Sequence, residues 1–303
     1  MIRAQRLCKF FGNVRALNGI DVEINTGQPT GLVGPNGAGK TTLFSVLCGF
    51  LRPTEGEVTI DGHPPLARPL HGRIAILPQD AVLTPTVKIS EQLSFMAELQ
   101  GMTRSAAKAE AARALDIVGL GNKANQAPDA LSHGMKKRAA IAQCFLGEPA
   151  LVLLDEPTSG LDPNTAGVIK ELIRTTADQR KFVISSHNLA DIEDLCGDVV
   201  ILKSGQVSKH EKIDTLVART TALTVSLASS APAGIEEKLS TIEGVSAAEA
   251  IGEDRIQLRV LFDSGMETEV QVAVLQTLKT NGVDFRELSR GESLESKVRE
   301  ISQ

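Results

Sequence analysis

The chain has 303 residues, of which 42% are hydrophobic and 23% charged, with a formal net charge of -5. That length and balance predict soluble globular folding in two domains, and the acidic balance argues against a nucleic-acid binder held by phosphate contacts. Trp and Tyr are absent and Phe is sparse, no apolar run reaches the length of a membrane span, and Cys8, Cys48, Cys144 and Cys196 lack metal-ligand spacing. A base-stacking platform, a membrane-spanning chain and a disulfide scaffold are therefore not expected, and the thiols read as reduced core residues of a cytosolic protein.

The first residues carry no apolar stretch or cleavage site of a secretory leader. Residues 2–23 alternate apolar and polar in two runs about Phe11-Gly12-Asn13, which predicts strand, turn, strand. Gly31-Leu32-Val33 reads as the end of a buried strand. It runs into Gly34-Pro35-Asn36-Gly37-Ala38-Gly39-Lys40-Thr41-Thr42, a complete phosphate-binding loop, and then into a helix. Glycines let successive amides face one concavity that a multiply charged anion fills, and the helix adds its positive end. Lys40 is placed to reach terminal phosphates and the Thr41 hydroxyl to ligate Mg²⁺.

Residues 52–56 form a turn, 57–60 an edge strand, and 73–77 another strand, after which Gln79 can present its amide near Mg²⁺ and an attacking water, or be an ordinary loop residue. A helical insert follows. Ser90 is expected to cap a helix carrying Leu93, Met96 and Leu99, and an Ala-rich helix over 105–118 stops at Gly119 and Gly121. Leu131-Ser132-His133-Gly134 opens a further helix with Ile141 and Phe145, and Lys136-Lys137-Arg138 reads as its solvated face. The apolar strand 151–154 ends in Asp155-Glu156. At the carboxyl edge of a parallel sheet, beside a phosphate loop, Asp155 would hold Mg²⁺ through its water shell and Glu156 would accept a proton from water. A helix over 164–176, a strand over 182–185 ending near His187, a helix over 189–195 and a strand over 199–202 complete an α/β alternation, which implies a parallel sheet covered on both faces. His187 either senses the terminal phosphate or is structural.

After residue 218 the pattern changes. Strands at 222–228, 245–251, 255–262 and 283–287, with helices at 234–242 and 267–280, give the order of a small α+β, ferredoxin-like module over 219–303, closing on a helix over 293–301.

Taken together, the phosphate loop, Gln79, Leu131-Ser132-His133-Gly134-Met135, Asp155-Glu156, Ser159-Gly160-Leu161-Asp162 and His187 stand in an order that resembles the nucleotide-binding subunit of ABC transporters, over about residues 2–217. The resemblance implies a P-loop NTPase domain of the ABC ATPase type with a helical subdomain, binding ATP and Mg²⁺. It implies two copies meeting head to tail, with Ser132 and Gly134 acting in trans on the γ-phosphate and Asp162 in the adjoining loop. Phe11 matches the position of an aromatic that stacks on adenine, with plain core as the competing reading for it and for Phe10. His133 and Met135 stand where the family has Gly and Gln; the loss of the Met135 amide donor and a Cβ at His133 predict weaker nucleotide clamping with hydrolysis retained. Residues 79–100 match the surface where separate transmembrane permease subunits dock, and Ser293-Leu294-Glu295 resembles the tail of bacterial exporter subunits. The implied location is the cytoplasmic face of the membrane, and the competing readings are a soluble ABC ATPase or a nucleotide-gated module without turnover.

Overall fold

A computed structural model describes residues 1–25, 27–216, 222–252, 254–263 and 265–290. The chain divides into two compact units, with the division between Glu211 and Lys212. The expected boundary at 218/219 and the closing helix over 293–301 lie outside the described residues.

In the first unit β1 (Ile2–Phe11), β2 (Val14–Ile24), β3 (Thr30–Val33), α1 (Lys40–Leu47), β4 (Glu55–Ile60) and β5 (Ile74–Leu77) come first. Then follow α2 (Ile89–Leu99), α3 (Arg104–Ile117), α4 (His133–Ala142), β6 (Leu151–Asp155), α5 (Pro163–Thr176), β7 (Lys181–Ser185), α6 (Leu189–Leu195), β8 (Asp198–Lys203) and β9 (Gln206–Lys212). An antiparallel sheet has the order β2-β1-β4, and a larger sheet has the order β5-β6-β7-β3-β8-β9. Within the larger sheet β5, β6, β7, β3 and β8 pair in parallel. Each residue of β6 is buried, as a strand covered on both faces requires. A core of Leu7, Ile20, Phe44, Leu153 and Val200 joins the two sheets around α1. The register sets the site: Asp155 pairs with Ser185, and Ser185 with Leu32, so β3, β6 and β7 end at one level.

The insert departs from its expected start. Lys88, not Ser90, precedes α2, and it offers no capping hydroxyl. The free amides of the first turn are met by loop carbonyls instead, Ile89 N–H on Gln126 at 2.9 Å and Ser90 N–H on Ala124 at 3.1 Å. The buried Gln92 side chain fixes the approach by bonding both backbone groups of Thr84 and the carbonyl of Val87. Phe145 lies beyond the end of α4, in a short 3₁₀ turn. The run 136–138 is solvated only in part: Lys136 is exposed, but Lys137 and Arg138 are half-buried, and Arg138 Nη1 donates to the Val118 carbonyl at 3.1 Å.

The second unit holds α7 (Ile213–Leu216), β10 (Ala222–Leu227), α8 (Ile235–Ser240), β11 (Val245–Ile251), β12 (Gln257–Phe262), α9 (Glu267–Thr280) and β13 (Phe285–Arg290). Its sheet has the order β11-β12-β10-β13 and is antiparallel throughout, as a βαββαβ ferredoxin-like unit requires. Val270, Val274 and Leu278 recur at helical spacing on α9 and join the sheet core of Leu223, Val225, Leu258 and Val260.

All four cysteines are free, and burial pushes the Cys48 thiol up to about 12 and raises Cys144 and Cys196 as well. Thiols held in that form are poor nucleophiles. Among the described residues no helix is long and apolar enough to cross a membrane.

Candidate nucleotide site

The phosphate loop leaves β3 and enters α1 through backbone that only glycine fits. Gly34 has φ 152°, and a Cβ there would lie 2.2 Å from the Leu202 carbonyl oxygen; Gly39 has φ 107°, and its Cβ would lie 2.6 Å from that of Ala16. Lys40 Nζ donates to the carbonyls of Gly34 at 2.7 Å and Pro35 at 3.3 Å, which pins the lysine across its own loop.

Thr41 Oγ1 donates to Asp155 Oδ2 at 2.9 Å, and Ser185 Oγ donates to Asp155 Oδ1. Asp155 is 2% exposed and Glu156 6%, so these carboxylates are fixed by neighbours rather than by water. The Glu156 amide donates to the Ser185 carbonyl at 3.1 Å and to Ser185 Oγ at 3.2 Å. Glu156 itself has φ 51°, left-handed backbone that costs a non-glycine residue about 1–2 kcal/mol. Its Oε2 lies 2.7 Å from Nδ1 of His187, whose ring is largely exposed. The carboxylate is thus held at the strand end with one oxygen on an imidazole that solvent and ligand can reach.

Phe11, Asn36, Gly37, Ala38, Gly39, Lys40, Thr41, Thr42, Gln79, Asp155, Glu156 and His187 line one open cleft of about 730 Å³, a size that suits a nucleotide. Phe11 is 47% exposed on its rim, with the Lys9 ammonium 5.3 Å from its ring, and so is not a core residue. Phe10 is half-buried beneath the Arg15 guanidinium.

Ser132, Gly134 and Asp162 are not part of this cleft; they stand at the heads of α4 and α5. Ser132 caps α4 by accepting the Met135 N–H at 3.3 Å, and Asp162 caps α5 by accepting the Thr165 N–H at 3.1 Å. The Thr165 bonds hold the Asp162 carboxyl below the usual range. His133 begins α4 in helical backbone, so its Cβ brings none of the strain expected of a positive φ.

Sequence reasoning did not foresee every contributor. Ser185 touches both carboxylate residues, and the only signal was its place at the end of an apolar strand. Ala16 lines the cleft without any motif character of its own, and Ser159, the first residue of the Ser159-Gly160-Leu161-Asp162 loop, lines it too. The Lys137 ammonium lies in the field of Glu156, Asp155 and Asp80, although burial is the larger effect and lowers its pKa.

Known proteins resemble the chain in sequence and in fold. The family model described as ABC transporter matches residues 17–159. An uncharacterized ABC transporter ATP-binding protein, YxlF of Bacillus subtilis (strain 168), is 32% identical over 240 residues, which cover 78% of this chain and 80% of that protein. Nod factor export ATP-binding protein I of Burkholderia orbicola (strain AU 1054) is 34% identical over 201 residues, 65% of this chain and 66% of that one. Among solved structures, the dimeric post-hydrolysis state of the ATP-binding cassette MJ0796 bound to ADP and Pi superposes with a TM-score of 0.63 at 26% identity, covering 70% of this chain and 99% of that one.

Proposed function

This chain belongs to the ABC transporter ATP-binding proteins, and from that premise we propose that it is the ATP-hydrolysing subunit of an exporter whose membrane-spanning part is a separate chain. The observation that carries the reading is the convergence of Lys40, Thr41, Asp155, Glu156 and His187 on the one cleft that the phosphate loop lines.

Loop amides and the α1 N-terminus bind the phosphates, and Lys40 turns from its loop carbonyls toward the terminal ones. The donor set fits Mg²⁺: Thr41 and Asp155 offer hard oxygens 2.9 Å apart, and among the described residues no cluster of three or more His, Cys, Asp or Glu side chains could hold an ion without phosphate and water. With Gln79 nearby, Thr41 and Asp155 would hold the ion, which would supply neutralisation of phosphate charge. Glu156 accepts the proton of the attacking water, and His187 orients that carboxylate from the solvent side. Phe11 takes the adenine face.

Two copies closing head to tail would bring Ser132 and Gly134 of each onto the γ-phosphate of the other, as the dimeric state of the cassette MJ0796 supports. Val82, Phe95 and Leu99 are large apolar side chains exposed within residues 79–100. They offer a membrane subunit an apolar seat, which supports the reading of a peripheral ATPase on the cytoplasmic face. The test is Mg²⁺-dependent ATP turnover of the chain and of Glu156→Gln across protein concentration. Turnover that rises with concentration and disappears in the variant is expected; turnover retained in the variant would overturn the role of Glu156.

A further inference from the structure

The heads of α4 and α5 abut, and the contact is built around one residue that no motif contains. Gly134, the second residue of α4, packs on Thr165 so tightly that a Cβ would lie 2.4 Å from Thr165 Cγ2 and 2.9 Å from its Oγ1. The φ of Gly134 is not positive, so glycine is required there for space and not for conformation. Thr165 Oγ1 also donates to Asp162 Oδ2 at 2.6 Å, while the Thr165 amide bonds the other oxygen at 3.1 Å. His133 stands nearby, its Nε2 4.0 Å from the place a Cβ on Gly160 would take.

The segment from Glu156 to Asp162 is itself stiffened. Ser159 N–H donates to the Glu156 carbonyl and Leu161 N–H to that of Thr158, both at 3.3 Å, and Thr158 Oγ1 donates to the buried Asp191 at 2.8 Å. Glu156 is therefore joined to the head of α4 through an unbroken run: a braced loop, the Asp162 carboxylate, the Thr165 hydroxyl, and the packing of Thr165 on Gly134.

We propose that Thr165 is a positioning residue that registers residues 131–135 against the loop after Glu156, so that the state of one nucleotide site reaches the surface serving the other. This rests on the head-to-tail reading above. Thr165 does not line the cleft; it acts through Gly134 and Asp162. A displacement at Glu156 or Asp162 moves the α4 head because the packed contact at Gly134 leaves no slack.

The experiment compares Thr165→Val, which keeps the shape and removes the hydroxyl, with Thr165→Ser, which keeps the hydroxyl. ATP turnover of the full chain is measured across ATP concentration, together with thermal midpoints. Thr165→Val is expected to lower kcat about tenfold, the size of one lost hydrogen bond to a charged group. Half-saturating ATP and the thermal midpoint should hardly move, and Thr165→Ser, which keeps the hydroxyl bond but loses the methyl packed on Gly134, should keep more of kcat than Thr165→Val. A Thr165→Val enzyme with unchanged kcat, or one whose loss follows a fall in thermal midpoint that Thr165→Ser shares, overturns the proposal. Ser132→Arg separates the two ideas. If that variant turns over normally, the head-to-tail reading fails and this one with it; if it is inactive while Thr165→Val is normal, only the role of Thr165 fails.

Discussion

Asp155 has each carboxylate oxygen taken by a hydroxyl, Thr41 on one side and Ser185 on the other. Such partners orient a metal ligand, and their loss commonly costs about 10–100-fold in metal affinity or activity. Ser185→Ala should therefore raise the Mg²⁺ concentration for half-maximal turnover by about tenfold, read from a Mg²⁺ titration at fixed ATP. Phe11 presents an exposed ring at the cleft rim. If it stacks on adenine, Phe11→Ala loses about 1–3 kcal/mol of nucleotide binding. Titration calorimetry with ATP and with inorganic triphosphate tests this, since only the nucleotide should weaken.

At the scale of elements, the charged ties of the helical insert make a pH prediction. Glu110 on α3 bonds Arg113 and the Gly147 amide, and Arg113 reaches the Phe145 carbonyl beyond α4. The Arg113 hydrogen bonds hold the Glu110 carboxyl below its ordinary range. A depressed folded-state pKa stabilises above the unfolded value and is lost as pH falls through the folded one. Glu110→Gln should thus lower the unfolding free energy at pH 7, read from urea titration, by about 1 kcal/mol, and have little effect once pH falls below the carboxylate range. The sequence carried most of these elements, because their periods are regular: β11, α6 and α9 fall where alternation or helical spacing put them. It also carried the phosphate loop and the acidic strand end, whose chemistry is written in contiguous residues. It did not carry the start of α2, where distant carbonyls replace a capping side chain, or the burial of Lys137, which the fold brings into the field of Glu156 and Asp155. Nor could it show the left-handed backbone of Glu156, a conformation imposed by contacts with β7.

At the scale of the molecule, each unit has its own core, so damage to one need not reach the other. Leu258→Ala, at a position fully buried in the second unit, should cost about 2–5 kcal/mol of that unit's stability. ATP affinity of the first unit should stay within about twofold, which calorimetric unfolding and nucleotide titration on one sample would check. The amide of Glu156 has a different consequence. It is shared between the carbonyl and the hydroxyl of Ser185, at the last rung between two buried strands. A proton held in this way leaves for deuterated solvent only when the ends of β6 and β7 part. Its exchange should rank with that of the sheet interior, however fast the cleft fills and empties. The residue proposed to meet water in the reaction would then sit on one of the slowest clocks in the chain, and the motions of the working cycle would be left to the helix heads and loops around it.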